Sequence, residues 1–145
     1  MIANKQQIEQ VLVNLIKNAA DAMDTDSNGS LLVRAHQGAI STETGHIDPT
    51  KTDMISIAVE DRGPGIEKGA MAKLFDPFFT TKEVGKGTGL GLSISRGIVE
   101  EHGGKIDCAN REGGGARFVV ALPVCRESAA AAPAEKEGTK HGTNR

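Results

Sequence analysis

Two asparagines stand one helical turn apart in the stretch NLIKN, at positions 14 and 18. Asparagine is a poor helix former because its side chain competes for backbone hydrogen bonds, so a pair within a helical pattern needs a reason. Their amide oxygens are hard, uncharged ligands that suit a Mg²⁺ ion already bound to phosphate oxygens. With Gln7, Gln10 and Asp21 they form one narrow polar stripe. Taken alone, the stripe fits a solvated helix face better than an ion site, and it gains weight only from its neighbours.

An acidic residue closes an apolar, strand-like run in VEDRGPGI, where Asp61 is followed at once by Gly63 and Gly65. A carboxylate at that place can accept a hydrogen bond from an amino group such as that of adenine. Glycines would let a flat ring lie against the main chain. A plain turn accounts for the same residues, since Asp, Gly and Pro are turn formers. On this stretch alone both interpretations stay open.

A glycine-rich run, KEVGKGTGLGLS, leads directly into an apolar helical pattern. Each glycine costs a helix or strand roughly 0.5–1 kcal/mol relative to alanine, so a run at every second position indicates a need for bare backbone. The run is neither a GxxxxGK[ST] loop nor a GxGxxG loop, since Leu90 occupies the place of the third glycine. What remains is a glycine loop at a helix N-terminus, which favours phosphate, with Lys82 and Lys86 just upstream. A flexible hinge would not explain why the glycines adjoin a helix start.

Three of the four phenylalanines lie within five residues, in LFDPFFTTK, at positions 75, 78 and 79. They predict either a hydrophobic latch on a mobile segment or a small cluster attached to the core, of which the second is commoner.

The elements that must position these residues follow from periodicity. Apolar residues at helical spacing predict one long helix with a buried face of Ile8, Val11, Leu12, Leu15, Ile16, Ala19 and Met23. The remaining pattern predicts strands over 31–37, 54–61, 105–110 and 116–124, a short helix over 68–75 and a long one over 88–104. Residues 38–53 predict a hairpin loop without obvious chemistry. We expect one domain over 1–125 and, from its small and charged composition, a disordered tail over 126–145.

Composition excludes several classes of protein. The 145-residue chain has a net charge of −2, no Trp and no Tyr, which argues against nucleic-acid partners. No apolar run reaches the ~20 residues of a membrane span, so no direct membrane contact is expected. Cys108 and Cys125 lack metal-site spacing and are expected to be reduced thiols in a cytoplasmic protein.

In this order the four segments resemble the ATP-binding catalytic domain of bacterial two-component sensor histidine kinases, in the superfamily of gyrase, mismatch-repair ATPases and a heat-shock chaperone. QVLVNLIKNAADA resembles the N box, DRGPGI the first glycine box, LFDPFFTTK the F box and GTGLGLS the second glycine box. The residues of the F box and of the second glycine box are most similar to those of the nitrogen-regulation and PAS-linked subgroup. The resemblance covers residues 4–124 and implies a Bergerat-type fold, a two-layer α/β sandwich with a mixed sheet and helices on one face.

The resemblance also implies the ligands, ATP and Mg²⁺, and their positions. Asn18 matches the metal ligand, and Asp61 matches the carboxylate that binds the adenine amino group. The implied ATP-binding residues are Asn14, Asn18, Asp21, Asp61, Gly63, Gly65, Ile66, Phe75, Lys82, Gly87, Thr88, Gly89, Leu90, Gly91 and Leu92. The implied partners are a dimerisation and histidine phosphotransfer domain upstream in the parent chain, and a response regulator. The implied location is cytoplasmic, whether or not the parent protein is membrane-anchored.

Three departures refine that implication. Hydrolysing members of the superfamily carry a glutamate where this chain has Asn14, whose amide cannot take a proton from water. None of the histidines, at positions 36, 46, 102 and 141, has the context of a phosphate acceptor, so no catalytic residue is expected here and the chain should not phosphorylate itself. Ala116 stands where the family often has threonine near the adenine. The alternatives are an anti-sigma-type serine kinase and a gyrase-like ATPase module.

Overall fold

The computed structural model describes residues 3–23 and 28–125, so the predicted tail over 126–145 lies outside the described residues. The helices are α1 (Lys5–Ala22), α2 (Lys68–Met71) and α3 (Gly91–Glu101). The strands are β1 (Leu32–Gln37), β2 (Ala39–Ile40), β3 (Ile47–Asp48), β4 (Met54–Glu60), β5 (Lys105–Asn110) and β6 (Ala116–Pro123). Each predicted helix and strand is present, but α2 ends at Met71 instead of reaching Phe75, and α3 spans Gly91–Glu101 instead of 88–104. In this part of the chain no helix is long and apolar enough to span a bilayer.

Helix α1 begins with a side-chain cap and buries one narrow face. The Asn4 side chain accepts a hydrogen bond from the Gln7 amide at 3.3 Å, which satisfies one of the free amides of the first turn. Val11, Leu15 and Ala19 follow at intervals of four and are the buried residues of the helix. The predicted face was too wide, because Ile16 is 36% exposed.

Four strands form one sheet in the order β1-β4-β6-β5, with α1 and α3 packed on one face. The predicted two-layer α/β sandwich is therefore confirmed, but each of the three strand pairs is antiparallel, where a mixed sheet was expected. The five-residue turn at 111–115 accounts for the β5–β6 pair, since parallel neighbours need a long crossover. Alternation along the strands places Val59, Phe118 and Val120 under the helices.

The opposite face of the sheet is partly covered by the segment predicted as a loop. Within 38–53, β2 and β3 pair as a small antiparallel sheet. Ile40 of β2 packs with Ala58 and Val119 in a second apolar cluster, and Ile47 lies against it. The segment therefore packs against part of the back of the sheet instead of extending into solvent.

A buried ion cluster fixes the end of β4 on that same back face. One carboxylate oxygen of Glu60 lies 2.6 Å from Nη2 of Arg34 and 2.5 Å from Nε of Arg117. Burial alone would raise the pKa of Glu60, but the two guanidinium groups more than offset it and the pKa is lowered. Because Glu60 precedes Asp61, the cluster anchors the point at which the candidate site begins.

Helices α1 and α3 are antiparallel, and hydrogen bonds join α1 to both ends of α3. At one end the Asn4 amide donates to Nε2 of His102 at 3.0 Å, and Nδ1 of His102 lies 2.7 Å from the Ile98 carbonyl. At the other end the Asn14 side chain contacts the first turn of α3. These contacts fix how the polar stripe of α1 faces the start of α3.

Candidate functional site

A cavity of about 710 Å³ lies between α1, the loop after β4, the segment 74–89 and the start of α3. Its volume falls within the range of small-molecule and cofactor sites. It is lined by the predicted site residues except Gly63, Phe75 and Leu90: Asn14, Asn18, Asp21, Asp61, Gly65, Ile66, Lys82, Gly87, Thr88, Gly89, Gly91 and Leu92. Residues from four separate sequence segments therefore meet in one space.

One end of the cavity holds a buried carboxylate with a fixed orientation. Asp61 is only 3% exposed, and its Oδ1 accepts from the amides of Gly63 at 2.9 Å and Ala116 at 3.1 Å. The Asp61 amide in turn donates to the Ala116 carbonyl at 3.0 Å. Since both of these side-chain bonds use Oδ1, Oδ2 is left to accept from a ligand. Gly63 serves the site by orienting Asp61 and does not line the cavity.

The other end of the cavity is the N-terminus of α3. Leu90 is the N-cap residue and gives no side-chain hydrogen bond, and the first helical bond runs from the Ile94 amide to the Leu90 carbonyl at 2.9 Å. The amides of residues 91–93 precede that bond, so they have no partner within the helix and are available to bind an anion. Leu90 thus closes the first turn of α3 instead of lining the cavity, while Gly91 and Leu92 do line it.

Asn14 uses its amide nitrogen to tie α1 to α3. Nδ2 lies 3.3 Å from the Gly91 carbonyl and 3.2 Å from Oγ of Ser95. The Ser95 hydroxyl donates to the same carbonyl at 2.8 Å, so its oxygen can only accept from Asn14. Two acceptors on one side assign the nitrogen to that side, and Oδ1 is on the other. The residue is therefore a strut between the helices as well as a wall of the cavity.

The donor set at Asn18 fits a magnesium ion that arrives with phosphate. Among residues 3–23 and 28–125 no cluster of three His, Cys, Asp or Glu side chains could hold a metal by itself. Mg²⁺ retains several waters and takes only one or two protein ligands when it is bound through phosphates. The half-buried Asn18 side chain lines the cavity and offers one hard oxygen of that type.

A salt bridge joins α1 to the segment over the cavity, which is residues 74–89. Nζ of Lys82 lies 2.6 Å from Oδ2 of Asp21, and both side chains are partly exposed. The hydrogen bond from Lys82 lowers the pKa of Asp21, with a smaller contribution from Lys17. Lys17, Lys82 and Lys86 all line the cavity, and Lys82 and Lys86 are paired with the carboxylates of Asp21 and Glu83.

We expect Asp21 to titrate below its ordinary pKa and to lose that shift in a Lys82→Ala variant. A lowered pKa in the folded chain means that the pair contributes above the ordinary pKa and is lost as the pH falls through the folded value, below about pH 4. Carbon-13 NMR of the carboxyl group measures both midpoints. Lys86→Ala is the matched control, because Lys86 pairs with Glu83 at 3.3 Å and should leave the Asp21 midpoint unchanged. Equal titration midpoints of Asp21 in the unsubstituted chain and in Lys82→Ala would refute the pairing.

The three clustered phenylalanines have three different environments. Phe75 packs against the core, with its ring 6.5 Å from that of Phe118 in an edge-to-face arrangement, and it does not line the cavity, so its predicted contact with ATP stays a prediction. Phe79 lines the cavity. Phe78 is 74% exposed and has a positive φ of 68°. The segment is therefore partly a satellite of the core and partly a wall of the site.

The cavity also contains residues that were not among the predicted site residues: Lys17, Ala22, Pro64, Leu74, Phe79, Thr80, Thr81, Gly85, Lys86, Ala116 and Phe118. Some had a usable signal. Lys17 is three residues from Asn14 on the same helix, and strand alternation places Ala116 and Phe118 on the face under the helices. The contribution of Ala116 is through its main chain, which no side-chain pattern could reveal.

Comparisons with known proteins agree with this geometry. Residues 3–126 match the family model of histidine kinase-, DNA gyrase B- and HSP90-like ATPases. The sensor kinase CckA of Brucella abortus is 45% identical over 83% of this chain, and the sensor protein FixL of Bradyrhizobium diazoefficiens is 41% identical over 88%. The chain spans only 13% and 23% of those two proteins. The solved catalytic domain of histidine kinase ThkA has a TM-score of 0.64 at 38% identity, covering 83% of this chain and 69% of that one.

Proposed function

The chain belongs to the family of histidine kinase-, DNA gyrase B- and HSP90-like ATPases, as a catalytic domain of the histidine kinase type, and we propose that it binds ATP with Mg²⁺ and supplies the γ-phosphate to a histidine on a separate dimerisation domain. The observation that carries the proposal is one cavity with a buried carboxylate at one end and a helix N-terminus at the other. This arrangement suits a ligand with a hydrogen-bond donor at one end and negative charge at the other.

At the carboxylate end, Asp61 would accept a hydrogen bond from the adenine amino group through Oδ2. The two backbone amides on Oδ1 hold the carboxylate in place before the ligand arrives, which lowers the entropy lost on binding. Gly65, Ile66 and Phe118 would enclose the base ring between backbone and apolar side chains. At C6 adenine carries an amino donor and guanine a carbonyl acceptor, so a base that turns its C6 group toward Asp61 would be adenine.

At the helix end, the free amides at the start of α3 and the lysines would hold the phosphates. Bound Mg²⁺ supplies positive charge that neutralises the phosphate oxygens, and Asn18 would be its ligand from this chain. Lys82 would exchange its partner Asp21 for a phosphate oxygen as the segment over the cavity closes. Asn14 provides no base for water, because its amide cannot accept a proton and its nitrogen is already used by α3. The γ-phosphate is thereby reserved for a stronger nucleophile.

The parent protein enters the proposal because the chain spans only a small share of the relatives it matches. From the sequences of the two stretches DPFFTTK and GTGLGLSISRGIVEEHGG, we infer a parent kinase of the nitrogen-regulation and PAS-linked type. Its upstream dimerisation and histidine phosphotransfer domain would receive the phosphate, and a response regulator would take it in turn. The reaction would proceed in the cytoplasm, where ATP is available.

Incubation with γ-labelled ATP and Mg²⁺ tests the proposal. We expect the chain to bind ATP, to remain unlabelled, and to transfer acid-labile phosphate to a dimerisation domain of a matching kinase added in trans. Lasting phosphorylation of this chain by itself, with a phosphate that acid removes, would contradict the proposal. Acid-stable label on a protein serine, or rapid steady-state hydrolysis of ATP, would replace it with a serine kinase or an ATPase module respectively.

A further inference from the structure

The side chain of Asn110 pairs in both directions with the main chain of Ile66, 44 residues away in the sequence. Its Oδ1 accepts from the Ile66 amide at 2.7 Å, and its Nδ2 donates to the Ile66 carbonyl at 2.7 Å. An amide side chain is chemically a peptide group, so the pair reproduces one rung of an antiparallel ladder. Asn110 is the last residue of β5, and its side chain therefore extends the sheet to the loop after β4.

The loop over residues 61–66 is thus fixed at two separate points. Asp61 is held by the main chain of Ala116, and Ile66 is held by Asn110. Gly65 lies between them with a φ of +79°, and a Cβ there would approach Oδ1 of Asn110 to 2.8 Å. The backbone of the loop is therefore pressed directly against the Asn110 amide, with no room for a side chain between them.

We propose that Asn110 is a positioning residue for the base end of the nucleotide cavity. It sets the position of Gly65 and Ile66, which line the cavity, relative to the carboxylate of Asp61. It does not line the cavity, so its effect on a ligand passes through the loop. Because the loop lies at the Asp61 end, Asn110 affects recognition of the base and leaves the phosphate contacts of α3 unchanged. The inference rests on the proposed function, since it presumes that the ligand is an adenine nucleotide.

Three variants separate the two hydrogen bonds from the shape of the residue. Asn110→Ala removes both bonds, and Asn110→Asp keeps the acceptor but places negative charge beside the Ile66 carbonyl. Asn110→Gln keeps both groups one methylene further from the backbone. Asn110 is exposed, so none of these changes opens a cavity in the core. Glu112→Ala, at an exposed position in the adjoining turn, is the matched control.

Titration calorimetry with ATP, ADP and inorganic tripolyphosphate tests the proposal, with tripolyphosphate measured as a millimolar competitor. In Asn110→Ala we expect ATP and ADP affinity to fall by the same factor, about tenfold, because two hydrogen bonds that position the loop are lost. We expect the affinity for tripolyphosphate to stay within about twofold of that of the unsubstituted chain, because tripolyphosphate would occupy only the α3 end of the cavity. Amide hydrogen exchange at Ile66 should accelerate in Asn110→Ala but not in Glu112→Ala, and it should change little in Asn110→Asp, which keeps the acceptor of that amide.

The outcomes are distinguishable. Retained ATP affinity in Asn110→Ala, or an equal loss for ATP and tripolyphosphate, would overturn the positioning role, the second result indicating general destabilisation. Unchanged exchange at Ile66 in Asn110→Ala would overturn it irrespective of any ligand. Absence of ATP binding by the unsubstituted chain would overturn the proposed function itself.

Discussion

Replacing Asp61 with asparagine is expected to lower ATP affinity on the order of 100-fold while leaving the fold intact. Asparagine is nearly isosteric, and its Oδ1 can still accept from the amides of Gly63 and Ala116. With the oxygen held there, the new Nδ2 occupies the place of Oδ2 and points a donor at the donor of the adenine amino group. A charged hydrogen bond is lost and a repulsive contact takes its place, so the effect exceeds that of simple deletion.

The same geometry predicts a change of base preference that a merely damaged site would not show. Inosine triphosphate carries a carbonyl where ATP carries the amino group, so Nδ2 of the variant can donate to it. We expect titration calorimetry to show that Asp61→Asn binds inosine triphosphate more tightly than ATP, whereas the unsubstituted chain prefers ATP. The control is Asp107→Asn, because the Asp107 carboxylate pairs with Lys105 on β5, and this variant should still prefer ATP. Unchanged ATP affinity in Asp61→Asn would remove Asp61 from the base site.

Sequence patterns predicted the elements other than β2 and β3, and about half of the residues that line the cavity, because both depend on local periodicity and on motif positions. The roles of Asp61 and Asn18 came from the resemblance of their motifs, because the residues alone left a plain turn and a solvated helix face open. The partner of Asp61 could not be predicted in the same way, because Ala116 acts through its main chain and any residue except proline could supply that amide. Contacts made by the backbone leave no mark on side-chain identity.

Long-range polar pairs were the second class beyond prediction. The role of Asn14 was inferred from what its amide cannot do, which is to take a proton. The structure adds that its nitrogen binds Gly91 and Ser95, about 80 residues away. A glutamate at this position would lack the donor and would face the Gly91 carbonyl with negative charge. Introducing glutamate here therefore disturbs the start of α3 as well as offering a base, so Asn14 and Ser95 must be considered together.

The back of the sheet illustrates the same limit for apolar contacts. Residues 38–53 contain too few apolar residues at regular spacing to predict strands, and Ile40 becomes informative only beside Ala58 and Val119. Glu60 is a charged residue in β4 whose sequence neighbours do not indicate its burial. Its burial is tolerated because Arg34 and Arg117, from two neighbouring strands, surround one of its oxygens.

Gly89→Ala is expected to lower ATP affinity on the order of 50-fold by separating the segment over the cavity from the start of α3. Gly89 has a φ of +67°, and a Cβ there would overlap the carbonyl carbon of Phe78 and lie 2.6 Å from its oxygen. Both groups belong to the backbone, so no rotamer change relieves the overlap. The Phe78 amide donates to the Gly89 carbonyl at 2.8 Å, and that bond must break as the two residues move apart. The amides that we propose to bind the phosphates begin two residues later, at Gly91.

Gly85→Ala is the matched control, because Gly85 also has a positive φ, of 88°, but a Cβ there meets nothing within 4 Å. Both variants carry the cost of a left-handed alanine, about 1–2 kcal/mol, and only Gly89→Ala adds the overlap. The difference in ATP affinity between them, measured by titration calorimetry, therefore isolates the contact with Phe78. Circular dichroism should show both variants folded, since neither position belongs to the core. Equal affinities would mean that backbone freedom alone explains the glycine, whereas a deficit confined to Gly89→Ala would mean that the run of glycines serves a close backbone crossing at the entrance to the phosphate site.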